Sequence, residues 1–276
     1  MSDGIVESAK FAFEWRKGGF KKLYFYLALL GLVWLFSEGL LAARLDWLEL
    51  MRAQAGTSVF AFALALTILL SFFSSAVELL VLQFALKSRK QKARKLETMD
   101  FVAYFFLDFV VLIAALTSVF NPRGLVVLVG LVLVSLIALS SNALALWVIA
   151  GILFAAYLCV FFYNVLRLSQ TQFFFASRES DLFSAMGSSL SATLGNVLWL
   201  VLVNLVVYLM VGIVVALAVG VPTLAVAFST GGMDGLGARV VSTLLSPVMV
   251  FSFLFAGTSI FSLLLKRRKK KADWNF

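Results

Sequence analysis

Residues 57 to 95 read TSVFAFALALTILLSFFSSAVELLVLQFALKSRKQKARK. From Thr57 to Leu86 this stretch carries one charge, Glu78, whereas residues 87 to 95 carry six bases: Lys87, Arg89, Lys90, Lys92, Arg94 and Lys95. At about 1.5 Å per residue the apolar part is long enough as a helix to exceed a hydrocarbon layer of about 30 Å. An abrupt change from apolar to basic is how a span ends at the cytoplasmic headgroups. The stretch reads as a membrane span with its C-terminal end inside the cell.

The rest of the chain extends that reading. Of 276 residues 62% are hydrophobic and 13% charged, with a mean hydropathy of +1.03, where a soluble domain carries about 25% charged residues. The fold class is therefore all-α, a polytopic integral membrane protein. The chain has no histidine and one cysteine, Cys159, which excludes a histidine-based triad, a zinc finger and a CxxC redox pair. No catalytic set, metal site or cofactor motif is expected.

The bases orient the chain. Five lie in residues 1 to 22 (Lys10, Arg16, Lys17, Lys21, Lys22), six in 87 to 95, and six are Lys266, Arg267, Arg268, Lys269, Lys270 and Lys271. Both termini and the 87 to 99 loop are thus expected in the cytoplasm of a cell whose plasma membrane holds the protein. Each basic tract abuts an apolar span, so anionic lipid headgroups, which residues 266 to 271 would contact, explain the charge better than nucleic acid.

Residues 1 to 22 form a cytoplasmic lead-in, 23 to 265 one transmembrane domain and 266 to 276 a basic tail. Asp3, Glu7 and Glu14 interrupt the N-terminal bases and no cleavage site follows the apolar run, so no signal peptide is expected. Ile5, Ala9 and Phe13 recur every four residues, the pattern of an amphipathic helix on the inner membrane surface.

Seven apolar segments follow: 23 to 41, 57 to 86, 101 to 120, 125 to 140, 143 to 166, 194 to 219 and 240 to 265. Two cytoplasmic termini require an even number of crossings. The segment from Leu125 to Ser140, bounded by Asn121-Pro122-Arg123-Gly124, reaches only about 24 Å and is read as short or re-entrant, which leaves six transmembrane helices. Residues 220 to 238, with Pro222 and a glycine cluster, read as an external loop; GGMDGLG lacks the preceding strand of a phosphate loop.

Polar groups inside the spans are the candidate site. Thr67, Ser71, Ser74 and Glu78 fall at i, i+4, i+7 and i+11 on one helical face. Asp108 on the next span is expected at the depth of Glu78, about 12 to 14 Å from the cytoplasmic boundary. Asn164, Arg167 and Asn204 complete a conceivable polar cleft. A carboxylate in hydrocarbon costs at least about 2.5 kcal/mol, so two at one level would hold a proton or a cation, or else be bonded to serine, asparagine or Arg167 as glue between helices. Gly187, Ser191 and Gly195 make a small-residue series suited to close helix contact, and Cys159 reads as core filler. The six tryptophans mostly lie near predicted span ends.

The stretch Arg178 to Asn196, RESDLFSAMGSSLSATLGN, a polar helix with alanine and serine at four-residue spacing leading into a span, resembles prokaryotic six-helix membrane domains related to the membrane domain of glycerophosphodiester phosphodiesterases. The resemblance implies a stand-alone membrane domain with no phosphodiesterase barrel and no catalytic residues. Residues 179 to 220 also repeat the opening layout of a short polar helix running into a span.

Three readings of function follow. An accessory or scaffolding membrane protein, acting as a homo-oligomer or with a membrane partner, requires no chemistry. The alternative is a small-solute or ion-coupled permease, or permease subunit, using Glu78 and Asp108. The third, a lipid-acting intramembrane enzyme, lacks a visible nucleophile and base.

Overall fold

The computed structural model describes residues 2–17, 21–42, 57–118, 121–141, 143–177, 181–230, 232 and 235–272. Regular structure among them is helical: α1 (Ser2–Phe11), a 3-10 turn (Glu14–Lys17), α2 (Lys21–Ala42), α3 (Thr57–Ser88), α4 (Thr98–Thr117), α5 (Pro122–Ser141), α6 (Leu144–Leu168), α7 (Thr171–Ser177), α8 (Leu182–Thr193), α9 (Val197–Val215), a π turn (Ala216–Gly220), α10 (Val221–Thr230) and α11 (Leu236–Ala272). Among the described residues six helical stretches are long and apolar enough to cross a membrane: Leu64–Ser88, Thr98–Thr117, Pro122–Ser141, Leu144–Ser177, Val197–Ser229 and Leu236–Arg268. The protein is an all-α, polytopic membrane protein. The expected connection bearing Arg44, Asp46, Glu49 and Arg52 lies outside the described residues, as do the side chains of Trp34 and Glu38.

The chain divides into two compact units, Met1–Phe105 with Leu202–Phe276, and Phe106–Val201. The first is organised around α11, on which α1, α2, α3, the π turn and α10 pack. Its core joins Phe11, Leu27, Val77, Val81, Ala85, Phe251 and Phe255, with Phe11 and Phe255 ring centroids 5.2 Å apart. In α11, 61% of the most apolar window is buried, because neighbours cover it on several sides. The helix has 37 residues, about 55 Å, and continues through Ala272. The basic tract at 266 to 271, expected as a separate tail, is therefore its last turns.

The amphipathic N-terminal helix forms, but it docks on α11 and buries a face next to the one its periodicity announced. Ser8, Phe11 and Ala12 are buried, whereas Ile5, Ala9 and Phe13 are only half-buried. The Ser8 hydroxyl meets Ser259 Oγ at 2.7 Å, and Trp15 Nε1 donates to Ser252 Oγ at 3.2 Å. Small hydroxyl residues let the two helices approach while keeping their polar atoms paired.

The expected loop at 220 to 238 is largely helical. The π turn Ala216–Gly220 carries α9 into α10, and its wider ring makes room for Pro222, whose own ring would clash with a carbonyl of a regular turn. The Thr223 hydroxyl donates to the Val219 carbonyl at 2.7 Å, supplying a bond where the ladder is disturbed.

In the second unit α5 and α6 form a hairpin, and α8 packs on α6 and α7. A small core joins Ala114, Ala115, Leu168 and Met186. Helix α5 begins at Pro122, three residues before the apolar run. Asn121 is its N-cap, with Oδ1 accepting from Gly124 N at 3.3 Å, and proline is at home in the first helical position. The helix is therefore 20 residues, about 30 Å, which removes the length argument against a crossing. Gly124 has a steric cause here: a Cβ at that position would lie 2.5 Å from Val160 Cγ1 and 2.9 Å from Ser118 Oγ, so any larger residue would have to push these neighbours aside. Asp181 caps α8 by accepting from Ser184 N at 2.7 Å; that backbone bond, with a second from the Ser184 side chain, holds its carboxyl below the usual carboxylate range.

Candidate functional site

Pro247 lies inside α11 and cannot donate to the carbonyl four residues before it, that of Thr243. Ser246 Oγ donates to that carbonyl at 2.8 Å, and Tyr24 Oη donates to the next one, Leu244, also at 2.8 Å. In a lipid setting, freed backbone groups must be re-satisfied in this way. Helix α2 crosses at the same level, with the Cβ of any residue replacing Gly31 falling 2.8 Å from Thr243 Cγ2.

Beside this break the helices α2, α3 and α11 leave a cavity of about 250 Å³, lined by Leu27, Leu30, Gly31, Leu70, Ser71, Ser74, Ser246, Pro247 and Val250. Its walls are aliphatic apart from three serines, and no charged residue lines it. Ser71 and Ser74 come from the polar face of α3 found in the sequence; Ser246, Pro247 and Gly31 were not singled out. The signal was available, a proline with a serine before it in the last apolar run. Ser71 and Ser74 differ from most hydroxyl residues of the chain. Thr117, Ser141, Thr223 and Thr258 each donate to the carbonyl four residues back, but among the described residues neither Ser71 nor Ser74 makes a hydrogen bond. A hydroxyl without a partner in an apolar setting costs about 1 to 3 kcal/mol.

The remaining candidates are divided between the two units, Thr67, Glu78 and Asn204 in the first and Asp108, Asn164 and Arg167 in the second. Thr67 is exposed on α3 and Glu78, half-buried, does not line the cavity. Val77, the residue before Glu78, packs in the core where Leu23 and Tyr24 at the start of α2 also pack. Asp108 is exposed on α4 in the second unit, with no hydrogen bond or ion pair among the described residues. Asn204 in the first unit is half-buried and likewise without a hydrogen bond among the described residues.

Asn164 and Arg167 make their contacts within the second unit. Asn164 is 5% exposed; its Nδ2 donates to Ser118 Oγ at 3.0 Å and to the Ala115 carbonyl at 3.4 Å, and its Oδ1 accepts from Asn121 Nδ2 at 3.3 Å. One amide thus ties the end of α4, the start of α5 and α6. Ser118, at φ 52°, is held in the left-handed region where the chain turns. Arg167 donates to the Leu190 carbonyl near the end of α8 at 2.9 Å and lies 5.6 Å from the centre of the Tyr163 ring, a favourable place for a cation. It is not paired with Asp108. Gly187, Ser191 and Gly195, expected in close contact, are exposed, and a Cβ on Gly187 would meet nothing within 4 Å. Gly195, at φ 69°, lies beyond the end of α8. Cys159 is exposed, not core filler.

Charge collects at one end of the first unit. Arg89 pairs with Glu7, donates from Nη2 to Ser259 Oγ at 2.6 Å and stands 4.0 Å over the Phe11 ring. Gln91 Nε2 donates to Ser262 Oγ at 3.3 Å. These contacts fasten the 87 to 95 segment to the end of α11, where Lys266, Arg267 and Arg268 are exposed beside the exposed Lys87, Lys90, Lys92 and Lys95. The side chains of Lys269, Lys270 and Lys271 lie outside the described residues. The hydrogen bond and charge of Arg89, helped by Lys266, hold the Glu7 carboxyl below its usual value. Arg94 pairs with buried Asp100 at 2.7 Å, while Asp100 Oδ2 accepts from Glu97 N at 2.8 Å, the returning half of a capping box at the start of α4.

Among the described residues no group of three or more histidine, cysteine or carboxylate side chains could hold a metal ion. The chain was compared with models of known protein families, with curated proteins and with solved structures, and it matches none of them.

Proposed function

We propose that the protein is a non-enzymatic accessory or scaffolding protein of the plasma membrane, whose cytoplasmic end is a basic platform for anionic lipid and for a membrane partner or a second copy. The observation that carries this reading is that the 87 to 95 tract is bonded to α11 through Arg89 to Ser259 and Gln91 to Ser262, one to two turns before the second basic tract begins at Lys266. A chain that needed charge only for topology would not have to fasten one tract so near the other. Each exposed base near an anionic surface contributes about 1 kcal/mol, and a rigid cluster loses less entropy on binding than a loose tail.

The same geometry favours one side for both termini. Gly4 lies against Leu263, so α1 and the basic end of α11 share one end of the first unit, which the positive-inside rule makes cytoplasmic. The internal bonding of Asn164 and Arg167 supports glue over catalysis. A permease centred on paired Glu78 and Asp108 has less support, because Asp108 is exposed and Val77 packs level with the start of α2.

The test measures thermal stability of the full chain in micelles supplemented with phosphatidylglycerol or phosphatidylcholine. Stabilisation by the anionic lipid alone, lost in Lys266→Glu, Arg267→Glu, Arg268→Glu, is the expected result. Equal response to both lipids would refute the platform. A tag at the C-terminal end that labels from outside intact cells would refute the orientation.

A further inference from the structure

The geometry points to a ligand site in the cavity at Pro247, one that takes the uncharged glycerol-ester head of a neutral membrane lipid. It goes beyond the platform reading and stands independently of it. Three features of the wall define the occupant. No charged residue lines the cavity, and an ionic head left unpaired in such a place would be strongly disfavoured. Ser71 and Ser74 each have an O–H with no acceptor among the described residues, so the occupant should bring acceptor oxygens, such as those of an ester. Ser246 has committed its proton to the Thr243 carbonyl and can only accept, so the occupant should also carry a hydroxyl donor. An ester with a neighbouring free hydroxyl on an apolar tail is a mono- or diacylglycerol.

Size and access agree with that chemistry. The cavity, about 250 Å³, equals roughly eight waters of liquid volume, enough for a glycerol ester but not for a whole lipid, whose tail would remain outside. Ser71 is exposed, and Ile68, one turn before it on the same side of α3, is an exposed hydrophobic, so the mouth faces apolar surroundings there. A lipid enters there sideways with its tail still in hydrocarbon, whereas a water-soluble ester would have to leave water first.

The experiment titrates the full chain, in dodecyl maltoside micelles that contain no ester, with monoolein or with triacetin, and follows binding by native mass spectrometry. Monoolein should bind saturably, one molecule per chain, with little binding of triacetin. Ser71→Ala, Ser74→Ala should weaken monoolein binding about tenfold, the value of two lost hydrogen bonds. Without ligand the double variant should melt no lower than the parent, since the deleted hydroxyls had no partners. Val250→Phe, which fills the cavity from its apolar side, should abolish binding. Absence of saturable monoolein binding, an unchanged affinity in the double variant, or saturable binding of triacetin alone would each overturn the assignment. None of these outcomes bears on the anionic lipids of the basic platform.

Discussion

The two units keep their helices together by different means. In the first, α11 is a central rod with 61% of its apolar window buried, and large aromatic side chains, Phe11, Phe251 and Phe255, fill the space around it. In the second, the windows in α5 and α6 are each 11% buried, and the hairpin is closed by a glycine contact and one buried amide, Asn164. Packing dominates one unit and a polar knot the other. In lipid the tails are as apolar as leucine, so burying more apolar surface gives helices little driving force there, and shape and hydrogen bonds must decide which helices meet. A helix with neighbours all round can rely on shape. A hairpin with mostly lipid around it relies on the polar contact.

That contrast can be broken at its strongest point first. Phe255→Ala should cost the first unit about 3 kcal/mol, as phenylalanine truncations in packed cores do, read as the largest drop in thermal midpoint in micelles. A drop no greater than that of an exposed control such as Phe228→Ala would mean that the aromatic cluster does not hold the unit. Gly124→Val in the second unit should follow, at about 1 to 3 kcal/mol, because the added atoms would overlap Val160 and Ser118. Gly151→Ala is its control, since a Cβ there meets nothing within 4 Å.

Asn164→Ala comes next, at about 1 to 2 kcal/mol, because Ser118 and Asn121 would lose their partner. Adding Ser118→Ala should recover part of the loss; a fully additive double variant would show that the knot is not a unit. The smallest effect belongs to Glu7→Gln. The Glu7 carboxyl has a lowered pKa in the folded chain, so its contribution is present above the ordinary glutamate value and disappears as pH falls through the lowered one. The Glu7 side chain is 62% exposed, so the pair is worth at most a few tenths of a kcal/mol. Parent and variant should differ slightly in melting temperature at pH 7 and converge as the pH falls through the lowered carboxyl pKa; a difference that persists once the carboxyl is protonated would assign the effect to packing.

The sequence carried the class and much of the layout, because a run of apolar residues ending in bases has only one stable placement in a bilayer. It carried less of the ends of elements. Pro122 reads as a break when it follows asparagine in a loop-like NPRG, yet the same pair is an N-cap and first-turn proline, and only the neighbouring helices decide between them. Pro222 likewise reads as loop and is absorbed by a π turn. Of the candidate site, Ser71 and Ser74 were legible from their spacing on one face. Ser246, which lines the same cavity, lies 172 residues after Ser74 in the chain, and no periodicity within α3 can point to it. Asn164 was singled out, but its partners Ser118 and Asn121 were not, since a polar residue at the end of a span looks like ordinary boundary polarity.

The continuous helix from Leu236 to Ala272 has a mechanical consequence. A hydrocarbon layer takes up about 30 Å of its roughly 55 Å, leaving an arm of some 25 Å to be divided between its two ends. A basic segment joined by a loose linker would absorb any pull on it; a stiff one transmits that pull along α11, first to Ser259 and Ser262, where Arg89 and Gln91 hold the helix. Whatever grips the lysines and arginines at the tip therefore acts on the same helix end to which Arg89 and Gln91 bind.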